Sequence, residues 1–125
     1  MKAVVVPPGG GRFIAAGPAG AGPHYHRGRD EFFYVLEGEL VLRIGDEQHT
    51  APRGTVAFVP RETIHGFHNA SRELARLLVM HHPSGFERFF DEMQELVARQ
   101  GSTEERAALA ARFDMFPVPD VSVRP

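Results

Sequence analysis

The stretch HYHRGRDE, residues 24 to 31, holds two histidines one residue apart and a glutamate five residues after the second. Imidazole nitrogen and carboxylate oxygen are the donors left for a metal in a chain without cysteine. The same letters also suit a solvated surface turn. Along an extended strand, residues two apart share a face. His24 and His26 then project together, with Tyr25 opposite, and Gly28 permits a bend before Glu31. If Glu31 opens the next strand, Phe33 and Val35 share its face. A carboxylate turned into an apolar interior is costly unless paired or bound to a cation. That argument favours a metal, but this segment alone leaves both readings standing.

A second stretch, GTVAFVPRETIHGFHN at residues 54 to 69, adds a histidine at a defined distance from glycine, proline and asparagine. The first stretch fits HxH, four residues, E, six residues, G, as His24, His26, Glu31 and Gly38. The second fits G, five residues, P, four residues, H, three residues, N, as Gly54, Pro60, His65 and Asn69. Together, and with this separation, they resemble the two motifs of the cupin superfamily. The resemblance covers about residues 17 to 82, and the family's helical C-terminal extensions resemble 84 to 112.

That resemblance implies a mainly β, double-stranded β-helix (jelly-roll) barrel with one divalent metal inside, held by His24, His26, Glu31 and His65. Iron, nickel, manganese, zinc and copper all suit three imidazoles and a carboxylate, and affinity order alone favours copper and zinc. Two positions depart from the family pattern. The glycine before the first histidine falls at Pro18, with Gly17 and Gly20 nearby, and the glycine after the proline of the second motif is Glu62.

Strand parity sketches the pocket. Phe67 shares a face with His65, and Phe33 and Val35 share one with Glu31, while Phe58 or its neighbours on 55–59 should contribute. Tyr25 and Tyr34 should pack outside. The outward row Phe32, Tyr34 and Leu36 is too apolar to leave wet and needs the other sheet, a helix or a second subunit as cover; a homodimer is expected. His68 alternates with His65 and reads as structural, and His49 as solvated. His81 and His82 end the last strand, where one of them could face the barrel mouth.

The surrounding elements read in two regimes that change near Pro83. Before it lie short apolar runs punctuated by glycine and proline, at 3–6, 11–16, 31–37, 39–45, 48–51, 55–59, 63–69 and 73–81, the pattern of an antiparallel sandwich or barrel. After it, Phe86, Phe89, Phe90, Met93, Leu96 and Val97 recur as one helical stripe. Ser84 with Glu87 suggests a capping-box start and Gly101 a stop. Ser102 with Glu105 opens a second helix through about Arg112. One domain over 1–125 is expected: barrel to about 83, helices to 112, and an extended surface tail over 113–125.

At 125 residues, 42% hydrophobic and 24% charged, the composition is that of a globular domain. A net charge of −2 gives no electrostatic case for nucleic acid or an anionic membrane as partner. The opening MKAVVVPPGGG is too short for a signal-peptide core, and no run reaches membrane-spanning length, so a cytoplasmic location is expected. The partner is then a small molecule. The resemblance implies three functions: a quercetinase-like dioxygenase with Glu31 as ligand and proton acceptor, a sugar or sugar-phosphate isomerase or epimerase, or a non-catalytic ligand-binding cupin. Phenylalanines in the pocket suit an aromatic or polyketide-like substrate. A sugar phosphate would want an inward cation, for which Arg43 is the main strand candidate.

Overall fold

A computed structural model describes residues 2–8 and 20–118. Two antiparallel sheets form a jelly roll. One has the order β1 (Lys2–Val6), β8 (Ala75–His82), β3 (Asp30–Glu37), β6 (Val56–Val59). The other runs β5 (Glu47–Pro52), β4 (Glu39–Ile44), β7 (His65–His68), β2 (Gly20–Tyr25), β9 (Phe116–Pro117). Helices α1 (Glu87–Ala98) and α2 (Thr103–Arg112) lie between β8 and β9. The strand anticipated at 11–16 and the departure at Pro18 lie outside the described residues.

Strands β3 and β8 bury alternate residues, as period-two patterning requires. Phe33 and Val35 on β3, Leu40 and Leu42 on β4, Phe67 on β7 and Leu77 and Val79 on β8 fill the space between the sheets. Two motif residues that carry no chemistry explain themselves here. Gly38 has φ +75°, and a Cβ there would lie 2.7 Å from the Leu74 carbonyl oxygen, so the β3–β4 turn has no room for a side chain. Asn69 is fully buried and donates to the carbonyls of Val6 (2.9 Å) and Glu73 (2.7 Å), fastening the end of β7 to β1.

Three expectations change. Helix α1 has no capping box: Phe86 is its N-cap without a side-chain cap, and the Glu87 carboxylate accepts from the Gly85 amide. Ser102 and Glu105 do form a capping box on α2. The chain beyond Arg112 is not a surface tail throughout, since Met115 is buried and β9 pairs with β2. Two such residues make a poor strand pattern, which is why the sequence hid them. Gly101 does close α1, but by proximity: its amide donates to Leu96 O at 2.8 Å, while the left-handed residue is Gln100.

The helices build a second apolar core from Phe86, Phe89, Met93, Leu96, Leu109, Ala110 and Met115, with Phe90 and Phe113 packed against it. The stripe is narrower than its periodicity suggested, because Val97 is exposed. Among the described residues, no helix is long and apolar enough to cross a membrane.

Candidate metal centre

Between the two apolar cores sits a polar cluster. His24, His26, Glu31 and His65 are all buried, and one ligand-type atom from each lies within 4.8 Å of the others. The strands bring them together by register. His24 on β2 is opposite His65 on β7, and His26 follows immediately after β2. Glu31 enters from the other sheet through β3, where Asp30 begins the strand. The four residues are thus drawn from both walls of the barrel.

The three rings are oriented alike. His24 Nδ1 lies 2.7 Å from Gly22 O, His26 Nδ1 2.8 Å from Asp114 O, and His65 Nδ1 2.8 Å from Thr63 O. A carbonyl oxygen only accepts, so each Nδ1 carries hydrogen, and in the neutral ring each Nε2 offers a lone pair. Three Nε2 lone pairs and a carboxylate therefore converge, acceptors facing acceptors. His26 Nε2 is buried without a hydrogen-bond partner, 3.2 Å from Glu31 Oε2. Such a donor set is satisfied by a cation. The residues fit a divalent metal of the first transition row, with no thiolate to restrict the choice.

Without a metal the cluster resorts to a proton. Burial alone would lower the His65 pKa, but the Glu31 charge and hydrogen bond and the Thr63 carbonyl outweigh it, and the pKa is raised. Burial would raise the Glu31 carboxyl; the positive field of His65 and contacts from His26, His65 and His81 reverse this and hold it well below the usual carboxylate range. The His65 ring and the Glu31 carboxylate are in direct contact, Nε2 to Oε2. Burial, reinforced by His65, keeps His24 well below 6.5 and hence neutral.

The linkage signs follow. The raised His65 contributes stability below its unfolded pKa, lost as pH rises through its folded value; the depressed Glu31 contributes stability above its unfolded pKa, lost as pH falls through its folded value. The metal-free pairing therefore contributes most between the two unfolded values, and above the folded value of His65 the cluster is four acceptors with no proton. A metal competes with the His65 proton and gains as pH rises. Added zinc or manganese should raise the melting temperature more at about pH 8 than at about pH 5.5. An equal increment at both, by differential scanning fluorimetry, would count against histidine ligation.

Aromatic side chains wall the cluster. Phe33 lies 6.0 Å from the His65 ring and 5.7 Å from Phe67, and Phe86 covers the far side at 5.0 Å from His26. Val35 is buried in the same core. Phe58 is not part of this lining. Val59 pairs with Glu31 and so takes the inward face, which turns Phe58 outward at 50% exposure against Phe32. Its neighbours Ala57 and Val59 line the interior instead.

Arg43 does not enter the cluster either. It stands on β4 between the core residues Leu42 and Ile44, facing the other way, and its Nε donates to Gly45 O. His68 is buried and His49 exposed. Glu62, at the position of the second motif's usual glycine, adopts φ +69°, and its amide donates to His26 O at 2.6 Å, a left-handed turn made with an ordinary side chain.

Two further residues belong to the site: His81, one of the two histidines expected near the barrel mouth, and Asp114, which the sequence did not single out. His81 is buried, pairs with Glu31 across β8 and β3, and places Nε2 3.1 Å from Glu31 Oε1. The inner row Ala75, Leu77, Val79 continues into it, a signal available once Arg76 marks the outer row. Asp114 fixes His26 through its carbonyl, and its carboxylate accepts from the amides of Arg27 (2.9 Å) and Gly28 (2.7 Å).

Comparison with known proteins agrees with this geometry. The family model described as "Cupin domain" matches residues 4–81. The chain is 36% identical to a Thermus thermophilus protein of known crystal structure, covering 60% of this chain and 63% of that one with a TM-score of 0.51. It is 30% identical to a sugar phosphate isomerase of the cupin superfamily from Silicibacter pomeroyi, covering 66% and 48% with a TM-score of 0.54. It is also 34% identical over 55 residues to the tetracenomycin polyketide synthase protein TcmJ of Streptomyces glaucescens, 44% of this chain and 37% of that protein. The matches span about half the length of the first curated relatives.

Proposed function

We propose, from the premise that this chain belongs to the cupin domain family, that it is a metal-dependent enzyme oxidising a small aromatic or polyketide-like molecule with dioxygen, in the manner of a quercetinase. The observation that carries this is the convergence of three Nε2 lone pairs and a carboxylate inside a phenylalanine-walled interior. A bound metal would supply Lewis-acid and redox chemistry there.

The chain's own residues do the rest. His24, His26 and His65 are held in one tautomer by backbone carbonyls and need no reorganisation to act as ligands. Glu31, kept ionised at neutral pH, is placed to accept a proton from an enolisable hydroxyl or CH group. Phe33, Phe67 and Phe86 exclude water and offer ring faces to an aromatic substrate. The similarity to a polyketide synthase protein supports the substrate class.

The similarity to a sugar phosphate isomerase favours a second reading. Against it, Arg43 faces away from the interior in which a phosphate would need it. The protein should be loaded separately with iron(II), nickel, manganese and copper, and oxygen uptake followed with flavonols and other enolisable aromatics. If no form consumes oxygen while one binds or isomerises a sugar phosphate, the second reading replaces the first; if it merely binds an unreactive ligand, the protein is a binder.

We further propose that the protein works as a homodimer through the outer face of the β1–β8–β3–β6 sheet. Phe32 (37% exposed) lies between Phe58 and Met80, and Tyr34 (43%) between Val56 and Leu78, with Val5 on β1 nearby. An apolar sheet face of this breadth is unusual on a monomer. Light scattering should give twice the chain mass at micromolar concentration, and Phe32→Glu should halve it. A monomeric wild type would refute the dimer.

A further inference from the structure

We propose that His81 is a positioning residue that holds Glu31 to the metal through one oxygen, an inference resting on the metal-centre reading above. The two carboxylate oxygens have different surroundings. Oε2 faces His26 and His65, at 3.2 Å from His26 Nε2, whereas Oε1 faces His81 Nε2 at 3.1 Å. His81 lies outside the set of four residues whose donor atoms converge. It stands behind the carboxylate rather than beside the other ligands.

The fold gives this histidine little freedom. Its partner across the ladder is Glu31 itself, so the two side chains leave the sheet side by side on the same face. Phe86 from the start of the helical extension packs tilted against its ring, with centroids 4.1 Å apart and planes 31° apart. His26 meets it edge-on at 5.3 Å. Nε2 is buried and lacks a well-aligned hydrogen-bond partner, and the acceptor within its reach is Oε1. A small rotation of the carboxylate, as Oε2 engages a cation in place of the His65 proton, would align that bond.

An Nε2–H donated to one lone pair of Oε1 disfavours chelation by both oxygens, and leaves the other lone pair free to take up a proton. It also restricts the carboxylate to one rotamer, which leaves less to be ordered when metal binds. Phe86 links this restraint to the helices: whatever positions α1 also sets the plane of the His81 ring.

Cobalt(II) serves as the probe, with the dissociation constant and the visible ligand-field spectrum as readouts, neither of which needs turnover. Replacing His81 with phenylalanine fills the space without a donor, and should weaken cobalt binding by about 10- to 100-fold, the usual effect of removing such an outer partner. The ligand-field bands should lose intensity as Oε1 becomes free to bind and the coordination number rises. His81→Gln keeps a donor at similar reach and should restore most of both. His81→Asn, polar but too short, should resemble the phenylalanine variant and guards against a fold lost to H81F. Equal affinity and spectra in wild type, H81F and H81N would overturn the proposal while leaving the metal centre intact. Loss of one nitrogen hyperfine coupling from the copper(II) spectrum of H81N would also overturn it, by making His81 a direct ligand. A wild type that binds no cobalt would bring down the metal reading itself, and this inference with it.

Discussion

Exchanging Glu31 for glutamine should leave metal bound while oxygen uptake falls by about 10²- to 10⁴-fold, the usual contribution of a positioned general base. The amide matches the carboxylate in size and keeps one carbonyl oxygen for the metal, so the three histidines and that oxygen still form a site. It cannot accept a proton from substrate. The wild-type carboxylate is suited to that task because His65, His26 and His81 hold it ionised although it is fully buried. Loss of its charge also removes the largest influence that raises the His65 pKa, leaving the Thr63 carbonyl to oppose the lowering by burial. Metal content by elemental analysis and uptake by oxygen electrode separate the two roles. Undiminished uptake with metal in place would remove Glu31 from the proton step. Loss of metal would show that its charge is needed for binding.

The second large effect is on stability. Phe89 is buried in the helical core, where it meets Phe86 at 5.0 Å, Phe90 at 5.9 Å and Phe113 at 5.9 Å. Truncation to alanine there should cost about 3–5 kcal/mol, the range for a buried phenylalanine whose cavity collapses only in part. For a chain of this size that corresponds to a fall in melting temperature of roughly 10–20 °C. Phe90 is only partly buried, so Phe90→Ala should cost clearly less. Equal and small effects at both positions in thermal melts would mean that the helices contribute little to the cooperative fold. The cost matters for the site, because Phe86 belongs at once to this core and to the wall beside His26 and His81.

What could be read from the sequence follows from the range of the information. His24, His26 and Glu31 lie within eight residues, so parity and the cost of burying a carboxylate suggest a group, which the resemblance to the cupin motifs then favours over a surface turn. His65 came from the spacing of a second local motif, and the capping box of Ser102 and Glu105 is local too. Phe58 went wrong because the phase of β6 is fixed only by Val59 pairing with Glu31, a relation between distant strands. The choice between His81 and His82 was open for the same reason, since it is settled by the pairing of His81 with Glu31. Asp114 was hidden more deeply. It sits among proline and phenylalanine at φ +60°, with no periodicity to flag it, and its role depends on α2 returning the chain to the β2–β3 turn. Resemblance of local motifs finds the candidate ligands; strand phase and chain return decide what holds them.

Asp114 also gives the site a chronology. The carbonyl that fixes the His26 tautomer leaves the ribosome 88 residues after His26 itself. Until it arrives, that imidazole can present either nitrogen, and the turn at Arg27 and Gly28 lacks its anchor. An ion met by the nascent chain would thus find donors that are present but not yet aimed. Once α2 and β9 dock, the donors are set and Phe86 closes beside them. An ion held at this site would then be selected late, by what surrounds the completed chain at the moment it folds.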